Sequence, residues 1–342
     1  MQSFQKYFEQ NGWSVELLAI PTVHSHGPRK FLEYHRKLIE GVRSKNVDVV
    51  LACDLYSLSA AAWMRKHGHA TLALYDAREV YTELPSVAKR PLVQMIWKRL
   101  EKRGLAVTDV ILVTAPHDLE AILEVHRFAP RSLLVRNLPW RDLSLSPDRS
   151  LLDQFSIPPD TKVFVYVGGL QRGRGLEAFF TAMQNEAMHL LLVGDGAIRA
   201  NLETLAHILG IANRTHFAGA VESAKALSLA AACDFGVVLI ESVSKSYELA
   251  LPSKVFEYMM AGLPILSSKM RHVTELFEGE EWIIFADVED INSIKDGIRR
   301  LIQMSHDRAL RGRERALSLE HYHFERDAAP LLSLINSKLA NT

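Results

Sequence analysis

The chain has 342 residues, 48% of them apolar, and its 40 Lys+Arg balance 40 Asp+Glu. This length suits two domains with cores that need no disulfide or metal staple. Zero net charge argues against a general nucleic-acid binder, and a charged fraction of 23% argues against disorder.

Cys53 and Cys233 lie far apart in apolar, strand-like surroundings, which predicts free thiols and a reducing compartment. No apolar run approaches the ~20 residues that span a bilayer. The start, Met-Gln-Ser-Phe-Gln-Lys, lacks the apolar core of a signal peptide. A cytoplasmic protein is expected. Residues 1–150 hold 21 basic and 16 acidic residues, a balance of +5 that the rest of the chain offsets. A basic first half suits anionic partners.

Phe4–Gln10 reads as a helix closed by Asn11-Gly12, Val15–Ile20 as a strand and Pro28–Lys45 as a helix. Val47–Cys53, Thr71–Tyr75, Val110–Thr114 and Leu133–Arg136 read as strands, with helices over Ser57–His67, Pro85–Gly104 and Pro116–His126 between them. Strands apolar on both faces, alternating with helices, predict an α/β fold whose parallel sheet is covered on both sides.

Leu138–Asp160 breaks the rhythm with Pro139, Pro147, Pro158 and Pro159. The domain boundary is placed here. Three parts are expected: a Rossmann-like domain over 1–145, a second over 146–320, and a closing helix over 321–342.

After the boundary the rhythm resumes. Lys162–Val167 and Leu190–Val193 read as strands, each followed by glycines and a helix. Thr215–Phe217, Phe235–Ile240, Pro264–Ser267 and Trp282–Phe285 read as further strands, and Glu325–Leu339 as the closing helix. Two open parallel sheets predict a central cleft, with ligands beyond the carboxyl ends of the strands. The sequence shows no solenoid period and no low-complexity tract.

The strongest local signal follows the strand ending at Val167, where Gly168, Gly169, Gly173 and Gly175 form a loop that opens a helix. Glycines let a backbone approach its ligand closely, and a helix start suits phosphate. Arg172 and Arg174 add planar donor forks. A mobile, solvated Gly/Arg turn would have the same composition. Neither a Walker loop nor a G-x-G-x-x-G fingerprint is present.

A second signal is Pro252-Ser253-Lys254-Val-Phe-Glu257. Pro252 suits a first helical turn, which puts Ser253 and Lys254 at the amino end and Glu257 one turn on. Glu257 can accept two hydroxyl protons from a ribose. A solvated Lys–Glu pair is the plainer alternative.

A third signal, Asp76-Ala-Arg78-Glu79, lies at the carboxyl end of a first-domain strand, where open α/β sheets bind ligands. Arg78 is a candidate contact to the phosphates or another acidic group of a ligand. A salt bridge from Arg78 to Glu79 or Glu83 is the competing reading. His24-Ser-His26 has no further ligand constellation to make it a zinc site, and His321-Tyr-His323 reads as structural. No Gly-x-Ser-x-Gly elbow supports nucleophilic hydrolysis.

Taken in order, the Gly/Arg loop, Gly194-Asp195-Gly196, His216-Phe-Ala-Gly219, Pro-Ser-Lys-x-x-Glu and Ala261-Gly-Leu-Pro264 resemble the nucleotide-sugar domain of glycosyltransferase family 4. The resemblance covers about 161–290. It extends more loosely to the first domain through Tyr75–Glu79 and Val135–Pro139.

The resemblance implies the two-Rossmann GT-B architecture. It also implies transfer of a sugar from a UDP- or GDP-sugar donor to a carbohydrate, cell-envelope or lipid-linked acceptor. Anomeric configuration would be retained, with no cofactor or metal, and the chain has no Asp-x-Asp motif. Arg174 stands where the family has the Lys that holds the diphosphate, Glu257 matches the ribose-binding glutamate, and Ala218–Val221 matches the region bordering the base.

There are departures. Gly169 stands where the family has a phosphate-binding Arg, and Arg172 is the replacement. Leu249 occupies the register of the first of two paired glutamates, and the neighbouring Glu248 is the stand-in. The chain opens with a helix and lacks the Gly-rich first strand that the architecture implies. Two alternatives stay open. One is a non-catalytic nucleotide-sugar-binding or partner subunit, and the other is a sugar-nucleotide epimerase.

Finally, Lys89–Arg103 carries six basic residues and one acidic. Leu92, Met95, Ile96, Trp97 and Leu100 recur at helical spacing, flanked by Lys98, Arg99, Lys102 and Arg103. Such a helix can lie in an anionic headgroup layer. Packing of the whole stripe on the sheet is the alternative.

Overall fold

The computed structural model describes residues 2–21, 27–84, 87, 90–141, 145, 147–242, 247, 251–304 and 308–341. Within that span the chain divides into two compact units. The first joins residues up to Asn137 with Phe324 onward, and the second takes in Leu138 to His323.

The first unit holds a four-stranded parallel sheet in the order β1 (Val47–Cys53), β2 (Ala70–Ala77), β3 (Val110–Val113), β4 (Arg131–Leu134). The registers run Cys53↔Asp76, Leu74↔Val110 and Val110↔Arg131. Helices α1 (Gln2–Gln10), α2 (Gly27–Val42), α3 (Leu55–Lys66), α4 (Pro91–Leu105) and α5 (Pro116–His126) complete its amino-terminal part.

Ala52, Leu55, Leu58, Tyr75 and Ile111 form one core cluster between sheet and helices. Gly104 lets α4 close on α3, because a Cβ there would stand 2.4 Å from Leu58 Cγ. Leu38 and Val42 of α2 pack on Ala60 and Met64 of α3.

Residues 13–21 form no strand, which corrects the reading of Val15–Ile20. Leu18 and Ile20 instead pack against the α2–α3 cluster, and Lys45 binds Glu16 at 2.6 Å. The apolar side chains that read as a strand are satisfied here by helix packing.

Helix α13 (Phe324–Leu339) belongs to this first unit. The Phe324 ring meets Phe4 and Tyr7 of α1 edge-on at 5.2 and 5.9 Å. Arg136, just past β4, donates two side-chain bonds to Asp327, both 2.8 Å, in a pair little exposed to solvent.

The second unit holds a six-stranded parallel sheet. Its strands are β5 (Lys162–Val167), β6 (Met188–Val193), β7 (Thr215–Gly219), β8 (Phe235–Val238), β9 (Ile265–Ser268) and β10 (Ile283–Ala286). Their order is β10-β9-β8-β5-β6-β7. Helices α6 (Leu176–Met183), α7 (Arg199–Ile208), α8 (Ser223–Ala232), α9 (Ser253–Ala261), α10 (Arg271–Phe277), α11 (Ile291–Met304) and α12 (Arg308–His321) connect them.

The fold is thus α/β, with two parallel-sheet domains. Phe164, Phe179, Phe180, Leu190 and Phe235 are fully buried in the second core. Chain order reverses between β5 and β8: β6 and β7 extend one side, β8 to β10 the other. Such a switch point opens a crevice at the carboxyl ends of the two strands, where α/β sheets bind ligands.

Candidate functional site

Three glycine segments are stacked at the carboxyl edge of the second sheet. Gly168 N–H donates to Val193 O at 3.0 Å, Leu170 N–H to Asp195 O at 3.0 Å, and Gly194 N–H to Gly219 O at 2.8 Å. The layers touch through their backbones. A Cβ on Gly194 would lie 1.9 Å from Gly168 O, and one on Gly196 would lie 2.3 Å from Leu170 O. Only glycine fits so close an approach.

Gly173 and Gly175 adopt φ of +81° and +61°. Gly175 starts α6 and leaves no room for a methyl group beside Leu239 and Val288. Arg172 is exposed and Arg174 half-buried, with the Arg174 guanidinium carbon 5.3 Å from the Tyr247 ring centroid. Burial pushes the Tyr166 hydroxyl up to about 12, although Arg174 nearby favours its ionised form.

Glu241, just beyond β8, holds this loop across the switch point. Its N–H donates to Gly173 O at 3.1 Å, and its Oε1 accepts from Gly175 N–H at 3.3 Å. A carboxylate at a helix start is favoured by the free N–H groups there. Sequence reading missed Glu241, because its role is created by a contact 66 residues away.

Helix α9 is fixed beside the same crevice. Its Tyr258 hydroxyl accepts from Val167 N–H at 2.9 Å and donates to Val165 O at 3.2 Å. The Tyr258 ring passes over Gly236, where a Cβ would stand 2.3 Å from Cδ2. One residue earlier, Glu257 accepts from Ser253 Oγ at 3.0 Å and from Lys254 Nζ at 2.6 Å. The Lys–Glu pair is therefore formed, on a half-buried face. Each carboxylate oxygen has a second lone-pair site, so a diol can still be accepted.

Arg199 at the start of α7 was also missed. Its guanidinium lies 5.4 Å from the Phe217 ring centroid, and Nη1 is the nearest atom to a Cβ built on Gly219, at 3.8 Å. It also pairs with Asp195 and Glu203.

In the first unit Asp76 is buried at the end of β2 and accepts from Arg78 Nε at 2.7 Å. Arg78 thus has Asp76 as a salt-bridge partner, where sequence reading offered Glu79 or Glu83. Glu79 is exposed. Burial raises the Asp76 carboxyl, against the pull of Arg78. Burial, then Asp76, pushes the Cys53 thiol up to about 11, which keeps it protonated and inert.

Beside them Asp54 has φ +105° and ψ 166°. That region is essentially reserved for glycine and is held at functional sites by surrounding structure. Asp54 Oδ1 caps α3 through Ser57 N–H at 2.9 Å. No sequence signal marks this strain. Glu248, His24, His26 and Lys89 lie outside the described residues.

Residues 148–316 match the family model described as glycosyl transferases group 1. That span contains the three glycine layers, Glu241 and α9. The lipopolysaccharide core biosynthesis glycosyltransferase LpsE of Rhizobium meliloti is 27% identical over 212 residues, 60% of this chain and 56% of that protein. A glycosyltransferase of Methanocaldococcus jannaschii is 28% identical over 171 residues, 48% of this chain and 42% of that protein. The matched stretches thus span about half the length of these curated relatives.

Among solved structures, sucrose-phosphate synthase from Thermosynechococcus elongatus superposes with a TM-score of 0.77 at 21% identity, covering 94% of this chain and 82% of that one. Anabaena HepE in complex with UDP gives 0.72 at 15% identity, covering 98% and 89%. These likenesses establish the fold, that of GT-B glycosyltransferase structures.

Proposed function

We propose that this protein is a retaining glycosyltransferase that moves a sugar from a nucleoside diphosphate donor to a cell-envelope, polysaccharide or lipid-linked acceptor. One observation carries the reading. The Gly/Arg loop and the amino end of α9 flank the β5–β8 switch point within the segment that matches group 1 glycosyl transferases. The match to LpsE, and a shorter one of 139 residues at 21% identity to the O-antigen chain mannosyltransferase C of Escherichia coli, support an envelope acceptor. The UDP complex of HepE supports a UDP or related donor.

The difficult step is departure of the diphosphate from an oxocarbenium-like sugar. Arg174 and Arg172 take the charge that grows on the leaving group, together with Lys254 and the start of α6. Ser253 and Glu257 take the nucleoside end, Glu257 through the ribose hydroxyls. Gly168, Gly169, Gly173 and Gly219 give the donor backbone contact. The acceptor oxygen attacks the anomeric carbon on the face that the diphosphate leaves, and the departing phosphate oxygen takes its proton. Asp76, Arg78 and Glu79 serve the acceptor side, and Glu248 the donor sugar.

The test is a donor screen by mass spectrometry with purified protein and an envelope acceptor, alongside titration with UDP and GDP. Consumption of one nucleotide sugar, with retained configuration in the product and no loss on adding EDTA, is expected. Failure to bind either nucleotide would overturn the proposal. Nucleotide binding without turnover would leave the non-catalytic subunit, and release of an altered free sugar would leave the epimerase.

A further inference from the structure

The structure divides the apolar stripe of α4. Trp97 turns inward onto the first-unit core, where its ring meets Phe31 of α2 at 4.9 Å and Tyr56 of α3 at 5.2 Å. Leu100 is partly covered on the same side. Leu92, Met95 and Ile96 face outward, with 72%, 56% and 54% of their surface exposed. The expectation of one continuous stripe is corrected accordingly, and so is the alternative that all of it packs on the sheet.

The outer face has a definite order. Leu92, Ile96, Arg99 and Arg103 follow at steps of four, three and four residues, which is one line along a helix. Met95 and Lys102 lie beside that line. Its first half is apolar and its second half basic, and Arg99, Lys102 and Arg103 are all exposed. Arg90, just before the helix, is exposed as well.

The single acid of this stretch is absent from that face. Glu101 is buried beneath the helix, accepting from the Tyr75 hydroxyl at 3.1 Å and facing His126 Nε2 at 2.8 Å. On the neighbouring α2, Leu32 is 64% exposed, next to the Phe31 that packs on Trp97.

Exposing three large apolar side chains within two turns costs solubility unless something covers them. Exposed arginines and a lysine further along the same face, with no acid of this helix among them, select an anionic cover that is apolar beneath its charge. We infer that the outer face of α4 docks on an anionic lipid surface, with Leu92, Met95 and Ile96 in the headgroup–acyl boundary and Arg99, Lys102 and Arg103 on lipid phosphates. Among the described residues no helix is long and apolar enough to cross a membrane, so the contact is interfacial.

Vesicle flotation tests this with the full chain. Vesicles of phosphatidylcholine with and without phosphatidylglycerol are compared at low and high salt. The wild type should float with the anionic vesicles, should stay unbound with phosphatidylcholine alone, and should be released by salt. Arg99→Glu/Lys102→Glu/Arg103→Glu should lower partitioning by roughly a hundredfold or more, each basic residue near an anionic surface contributing several-fold. Leu92→Ser/Met95→Ser/Ile96→Ser should lower it at least about tenfold.

All six side chains are exposed, so circular dichroism and melting temperature should match the wild type and report the fold separately. Nucleotide binding is read in parallel and does not depend on this face. Equal flotation of the wild type and both variants would overturn the inference. So would sedimentation showing a dimer abolished by the serine variant, since a second copy would then be the occupant.

Discussion

Replacing Gly194 by alanine probes the stacked glycine layers directly. The added methyl would stand 1.9 Å from Gly168 O, a backbone atom that cannot rotate away. To reach 3.0 Å, the tightest distance real Cβ atoms show, the Gly168 loop must retreat by about 1 Å. A displacement of that size in a positioning element costs up to about a hundredfold in function. Gly194 also has φ +147°, and such a backbone carries about 1–3 kcal/mol of strain for a residue with a side chain.

Gly210 provides the control. It has φ +68° with nothing within 4 Å of an added methyl, so Gly210→Ala should lose only about 1–2 kcal/mol of left-handed strain. Urea unfolding gives the stability term and calorimetric titration with UDP and GDP gives the binding term. The control should lose stability and keep affinity, whereas Gly194→Ala should lose both. Affinity within twofold of wild type in Gly194→Ala would refute the idea that these layers set the donor site.

Other consequences are as direct. If Glu257 holds the ribose as proposed and the bound nucleotide completes its burial, Glu257→Ala should weaken nucleotide binding by about 1–3 kcal/mol. Arg174→Ala should depress kcat by about 10²–10³-fold with a smaller change in KM, because the charge it meets grows in the transition state; equal losses in both variants would contradict the division of roles. His189 Nδ1 lies 2.9 Å from His216 Nε2, and burial, then His189, lowers the His216 ring to about 4. The unfolded state therefore binds more protons between that value and about 6.5, so stability should be full above 6.5 and fall as pH drops toward 4. Substituting His216 by Phe should flatten that limb of a pH–stability profile. Asp54→Gly should release about 1–3 kcal/mol of backbone strain against about 1 kcal/mol of lost cap. It should thus be at least as stable as Asp54→Ala in urea, and the reverse order would refute the strain assignment.

Where the sequence announced the structure, it did so through local chemistry. The central strands of both sheets read correctly to within a few residues because they are buried on both faces, and Val163–Val167 has no polar alternation to mislead. Gly168 to Gly175 was legible as a loop for the same reason, since its composition is the constraint.

Val15–Ile20 misled because its apolar side chains pack on helices, a distinction that periodicity does not carry. The α4 stripe misled because burial around a helix is decided by neighbours: Trp97 found Phe31 and Tyr56, while Leu92 one turn away found none of the core. Glu241 and the switch point it spans were invisible for a deeper reason. Strand order is a property of the assembled sheet, and no residue between β5 and β8 encodes which strand becomes the neighbour.

The pairing of Arg136 with Asp327 also orders the birth of the protein. The two residues are 191 positions apart, with the whole second unit made between them. On the ribosome β4 and Arg136 emerge early, yet the partner carboxylate and the Phe324 ring that meets Phe4 arrive only after residues 138–323 have been synthesised. At about 5–20 residues per second, roughly ten to forty seconds pass before Phe324 can meet Phe4 and Tyr7. The second unit closes once its own last residues are made, among them Tyr322, whose ring packs on Phe256 and Phe277. The unit that is begun first is therefore the last to be completed, and its earlier part is exposed to chaperones and proteases while it waits.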